Sequence, residues 1–112
     1  DFIYVKDAVE MTVFFDPVNG AGKNKTGIFN IGSGSASTWL AAATAVFKAL
    51  GKQMQIEWID MPDNIKDQYQ YFSKANITKL REAGYKNEIM KLEDSIRDYV
   101  EGYLMTGRFL GL

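Results

Sequence analysis

The sequence predicts an α/β fold of three to four short strands and about four helices. Two observations lead there. Short β-branched and aromatic runs alternate along the chain with segments whose apolar residues recur at helical spacing, the order of elements seen in α/β proteins. Gly, Pro, Asn and Asp clusters punctuate the boundaries between them. The 112 residues are one domain's worth, enough to bury roughly two-thirds of the unfolded chain's surface.

Taken in order, residues 2–5 (Phe2, Ile3, Tyr4, Val5) read as a short strand. Asp7 is placed as the N-cap of a helix over residues 8–15, which Pro17 ends. Residues 16–26 (DPVNGAGKNKT) read as an exposed loop, with Lys23 and Lys25 solvated. The apolar run at 27–31 (GIFNI) is expected to be a buried strand. After GSGSAS at 32–37, Thr38 is positioned to cap a helix over 39–50, and Gly51 to end it in the left-handed conformation. Trp39, Ala43, Val46 and Leu50 share one face of that helix, with Phe47 beside them, and are expected in the core.

Met54, Ile56 and Trp58 alternate with Gln53, Gln55 and Glu57, the pattern of a strand with one buried face. Residues 60–68 are polar, contain Pro62 and read as a loop; residues 69–72 read as a short extended stretch. Asn76 is expected to cap a helix over 77–83, stopped by Gly84. The last helix, over 92–104, carries a stripe of Leu92, Ile96, Tyr99, Val100, Tyr103 and Leu104. The tail at 107–112 (GRFLGL) either packs on a further part of the protein or frays.

Composition excludes several chemistries. Neither cysteine nor histidine occurs, so no disulfide, thiolate nucleophile, Cys/His zinc site, Ser-His-Asp triad or histidine base can form. A net charge of −1 gives no basic excess for nucleic acid or an anionic membrane, and no apolar run approaches the roughly 20 residues of a membrane span. The lack of cysteine fits the cytoplasm. The chain opens on Asp1 rather than Met, in the middle of an expected strand, which leads to the expectation that a natural N-terminal portion precedes it.

Three segments carry candidate chemistry. The run from Gly32 to Ser37 lies between an expected strand and helix, where free N–H groups can take a phosphate; a tight turn plus a cap is the simpler reading. GSGSAS lacks the third glycine of the dinucleotide fingerprint and is followed by no Lys-Ser/Thr pair. Asp60 and Asp63 are two nearby carboxylates, but in a polar loop beside Lys66 and Asp67 they read as solvated rather than as an acid/base pair. Tyr69, Gln70, Tyr71 and Phe72 form the most unusual stretch. Composition alone favours core packing for it, while period-two alternation would set Tyr69 and Tyr71 on one face, free to meet a ligand.

Several of these pieces resemble one family. DFIYVKDAV is similar to the Arg-Asp-[Phe/Tyr]-[Ile/Val]-[Tyr/His]-Val-x-Asp segment of extended short-chain dehydrogenases/reductases, and GIFNIGSG to their Gly-x-[Phe/Tyr]-Asn-[Ile/Leu]-Gly-[Thr/Ser]-Gly. Thr38-Trp39, Gly84-Tyr85 and Leu92-Glu93 occupy matching places, so the resemblance covers nearly the whole chain. YQYFSKANITKLREAGY, from Tyr69 to Tyr85, resembles the ADP-glyceromanno-heptose 6-epimerase branch, with Asn76 standing where that branch usually has Asp.

The resemblance implies that residues 1–112 are a single C-terminal substrate-binding domain of a nucleotide-sugar epimerase, with a Rossmann domain holding NADP upstream. It implies an ADP-sugar substrate, a cytoplasmic role in lipopolysaccharide precursor synthesis and a homo-oligomeric whole enzyme. It carries over one substrate-contacting residue, Tyr69; Gln70 and Lys66 are neighbours worth testing, Lys66 on local grounds only. The family's Tyr-x-x-x-Lys pair and glycine-rich cofactor loop are absent here, so no catalytic, cofactor-binding or metal-binding residue is assigned and the chain alone is expected to be inactive. Two other readings stand beside it: a UDP- or dTDP-sugar epimerase or dehydratase fragment, and a stand-alone α/β binding module without catalysis.

Overall fold

The computed structural model describes residues 1–109, and they form five α-helices joined by long irregular segments. The helices are α1 (Val5–Phe14), α2 (Trp39–Ala49), α3 (Asp63–Lys66), α4 (Thr78–Glu82) and α5 (Leu92–Gly102), and a 3₁₀ turn at Leu104–Thr106 follows. Among the described residues there is no strand, so the α/β expectation is overturned. A strand exists only where a neighbour shares its N–H and C=O groups, and alternation of side chains does not supply that neighbour. Residues 53–58 lie open on both faces, so the Met54, Ile56, Trp58 pattern buries nothing. Ile28, expected inside, is 88% exposed. Residues 2–4 form no strand; Tyr4 is extended and unpaired, and Val5 already belongs to α1.

The other elements fall near their expected places. Helix α1 starts three residues early because Asp7 is no cap: it sits buried inside the helix and accepts the Met90 N–H at 3.1 Å. Thr38 does cap α2, its hydroxyl accepting from the Ala41 N–H at 3.0 Å, and Gly51 follows at φ 63°. Asn76 does not cap α4: the N-cap is Ile77, which makes no side-chain cap bond, and Asn76 accepts the Thr78 N–H at 3.0 Å in a turn one residue earlier, while Gly84 stops the helix at φ 108°. The polar segment 60–68 contains the single turn of α3. Helix α5 ends at Gly102, so Leu104 leaves the expected stripe and is exposed. Of the tail, Phe109 is exposed, and Leu110, Gly111 and Leu112 lie outside the described residues.

The core is small. Met11, Leu80 and Tyr85 are buried at its centre, with Ile3, Phe14, Phe15, Ile77 and Ile89 packed around them. Phe14 meets Tyr85 edge-on, ring centroids 5.5 Å apart. Helix α2 packs on α5, burying Ala45 and Val100. Trp39 and Val46, expected in the core, are exposed, since α2 turns its Ala45 side inward. The radius of gyration is 17.0 Å, against about 13 Å for a compact chain of this length. The accessible surface is 8733 Å², roughly 2,500 Å² more than a compact monomer of this mass exposes.

Candidate functional site: an aromatic cleft beside a carboxylate clasp

The Asp1 carboxylate joins three distant segments. One oxygen accepts the Ser33 N–H and hydroxyl, both at 2.8 Å; the other accepts the Gly34 N–H at 3.0 Å and the Ala75 N–H at 2.9 Å. The Asp1 nitrogen donates to the Ser73 carbonyl at 2.7 Å. Successive N–H groups converging on one acceptor make an anion nest. The glycines are required for it: a Cβ on Gly32 would lie 2.4 Å from that of Ala75, and Gly34 adopts φ 69°. The glycine-serine run therefore wraps the chain's own carboxylate, which occupies the N–H groups a phosphate would use.

On one side of this clasp opens a cleft of about 800 Å³. Its walls come from Asp1 and Phe2, from residues 36–39 at the start of α2, and from residues 69–73. The Trp39 indole N–H donates to the Tyr69 hydroxyl at 2.8 Å. Phe2 meets the Trp39 ring edge-on at 4.9 Å, and Tyr69 meets Tyr71 edge-on at 5.2 Å. Trp39, Tyr71 and Phe72 are each at least 70% exposed, and Tyr69 is 37% exposed. Volume and lining suit a small organic ligand: apolar faces with a few polar groups. Core packing, the composition-based preference for residues 69–72, is thus overturned. Tyr69 and Tyr71 touch, as the alternation anticipated.

A charged cluster lies apart from the cleft, between α1 and α5. Asp98 accepts from the Tyr4 hydroxyl at 2.6 Å and from the Lys6 ammonium at 2.7 Å, and Lys6 also lies 5.1 Å from the Tyr103 ring centroid. The Lys6 and Tyr4 bonds hold the Asp98 carboxyl below its usual range, and Asp98 raises Lys6. Partial burial, then Asp98, pushes Tyr4 up to about 12. Burial also raises Asp7, against the pull of the Met90 N–H. Tyr4 and Lys6 tie the start of α1 to α5 through Asp98, and Asp7 ties α1 to the segment ahead of α5.

Of the residues singled out by sequence, the cleft gathers Tyr69, Gln70, Tyr71 and Phe72 with Ser37 and Thr38. Lys66 is exposed on α3 and does not line it. Asp60 and Asp63 are exposed, Asp60 in the irregular segment and Asp63 at the start of α3, and so are Lys23 and Lys25. Sequence reasoning missed Phe2 and Trp39 as cleft residues. The signal for Trp39 was its place directly after the cap, where a side chain projects past the helix end.

No family model matches this chain. Curated relatives do. A protein of Nitratidesulfovibrio vulgaris (strain DP4) is 44% identical over 104 residues, 93% of this chain and 31% of that protein. One of Fusobacterium nucleatum is 41% identical over 110 residues, and one of Brachyspira hyodysenteriae 37% over 111. All three are named ADP-L-glycero-D-manno-heptose-6-epimerase. This chain is homologous to part of the heptose epimerases. It spans about a third of the length of the relatives it matches, a span consistent with their C-terminal part. The resemblance carried by the segment from Tyr69 to Tyr85 is thereby borne out at the level of the family. Among the described residues no helix is long and apolar enough to cross a membrane.

Proposed function

We propose that this chain is the substrate-side part of an ADP-glyceromanno-heptose 6-epimerase and that its aromatic cleft supplies one wall of the sugar-nucleotide site. The observation that carries the reading is the coincidence of two lines. The heptose-epimerase relatives align over 93% of the chain, and the Tyr69 segment that resembles them lines the exposed aromatic cleft. Tyr69 is the substrate contact and Gln70 its neighbour. The whole enzyme acts in the cytoplasm on an ADP-heptose destined for lipopolysaccharide, and works as a homo-oligomer.

The chain's own residues do not fit NADP. Its glycine-rich turn is filled by Asp1, and among the described residues no other glycine-rich turn opens a helix. The cofactor belongs to a Rossmann domain contributed by sequence outside these residues. The open surface supports such a division. Val5, Val9 and Val13 recur every fourth residue along α1 and are all exposed, opposite the buried Met11. A second body covering them, together with Ile28, Trp58 and Ile59, would remove part of the excess area. The chain alone is inactive, because one wall does not close a site.

Expression of the complete gene tests the reading. The purified product is expected to invert C6 of ADP-glycero-manno-heptose, followed by proton NMR, while residues 1–112 alone do not. Turnover of UDP- or dTDP-sugars in place of the ADP-heptose would assign it to another branch.

A further inference from the structure

Resting on that reading, we propose that Trp39 is a positioning residue for Tyr69, one that fixes the tyrosine hydroxyl as a hydrogen-bond donor toward an acceptor oxygen of the ligand. An indole N–H can only donate. At 2.8 Å from the Tyr69 oxygen it occupies a lone pair there, and among the described residues Tyr69 Oη has no other hydrogen-bond partner. The phenolic proton is left to point elsewhere, and the ring lines the cleft. A hydroxyl that accepts from one group also donates more strongly to the next. The ligand atom it meets is therefore an acceptor, of the kind a diphosphate oxygen, a sugar ring oxygen or an accepting sugar hydroxyl oxygen presents, rather than a sugar hydroxyl acting as donor.

The indole is itself held. Thr38 caps α2 and fixes the backbone at Trp39, and Phe2 braces the ring at 4.9 Å, next to the residue whose carboxylate closes the clasp. Trp39 is 70% exposed and so contributes little to the core; its ordered contacts in the cleft are with Phe2 and Tyr69. A purely structural aromatic would serve as well as phenylalanine, whereas the proposed role needs the N–H.

The test uses the complete gene product carrying W39F, Y69F or both. Calorimetric titration with ADP and with ADP-glucose, and steady-state kinetics with ADP-heptose, are expected to show W39F weakening binding and raising KM roughly three- to tenfold, the loss of about one hydrogen bond, with kcat changed less than twofold. Y69F is expected to lose at least as much, and the double variant no more than Y69F, since Trp39 acts only through that hydroxyl. Loss with ADP itself assigns the acceptor to the diphosphate; loss only with ADP-glucose assigns it to the sugar. An unchanged W39F, or losses that multiply in the double variant, overturns the inference and leaves the epimerase reading standing. A parent protein that binds neither ADP nor ADP-glucose overturns both. Should W39F shift the thermal midpoint by several degrees, 3-benzothienylalanine incorporated at position 39 decides instead: it keeps the fused ring but has sulfur in place of the N–H, and full affinity in it overturns the role of that N–H.

Discussion

The cluster around Met11 holds three aromatic rings and the cleft around Tyr69 holds five, yet the first is closed and the second open. Met11 and Leu80 are at most 1% exposed, enclosed by α1, α4 and the loop that carries Tyr85. Trp39, Tyr71 and Phe72 face outward; Trp39 is held by an N–H bond and a ring edge and Tyr71 by a ring edge, rather than by burial. Aromatic content alone does not distinguish the two. What distinguishes them is whether the chain brings a second apolar surface to the spot. At Met11 it does; at Tyr69 the opposing surface has to come from a ligand or from another part of the protein.

That contrast can be broken by substitution. Met11→Ala is expected to cost about 2–5 kcal/mol, read as a lowered urea midpoint by circular dichroism, because the enclosed site cannot collapse fully. Asp1→Ala comes next, at about 2–3 kcal/mol, since it strands the Gly34 and Ala75 N–H groups; it is also expected to open the cleft, so that ligand affinity falls together with stability. Tyr4→Phe removes one hydrogen bond to a half-exposed Asp98 and should cost about 1 kcal/mol or less. Phe72→Ala, on the open side, should move the midpoint by less than about 0.5 kcal/mol.

Asp7 sharpens the same contrast from the charged side and with the opposite sign. Its folded-state pKa is raised, first by burial and also by the neighbouring Glu10 charge. Ionisation is therefore disfavoured in the folded chain, and stability is lost as pH rises from below the ordinary carboxylate range through the raised value. Asp7→Asn keeps an oxygen for the Met90 N–H and removes the charge. It should stabilise the chain at pH 7, and the gain should vanish near pH 3, where Asp7 is neutral in both states. A gain that persists at pH 3 would show that charge is not the cause.

Helices were legible in the sequence to within a few residues because their signals are local: the Thr38 hydroxyl, Gly51 and Gly84 act on the turn next to them. Strands were not, because pairing is a property of two segments, and the runs at 27–31 and 53–58 have no partner among the described residues. The same distinction explains the site. Tyr69 was found through a resemblance spanning Tyr69 to Tyr85, a contiguous stretch. Phe2 and Trp39 entered it from positions 67 and 30 residues away, brought by the Asp1 clasp, whose three-segment geometry leaves no mark in any one of them. Asp7 was misread for a related reason: a carboxylate ahead of an apolar run looks like a cap until Met90, distant in sequence, takes it.

The clasp also sets an order of events during synthesis. Its acceptor is residue 1, and its last donor is residue 75, so a ribosome must release most of the chain before the knot can tie. Until then Gly34 and Ser33 can hold Asp1 alone, across a shorter loop whose closure costs somewhat less entropy. The two walls of the aromatic cleft meet only at the second stage, when Ala75 arrives. Helices α1 and α2 can form early from local signals, but the recess between Phe2, the start of α2 and the Tyr69 segment is a late product of translation, assembled by a single aspartate that waited for it.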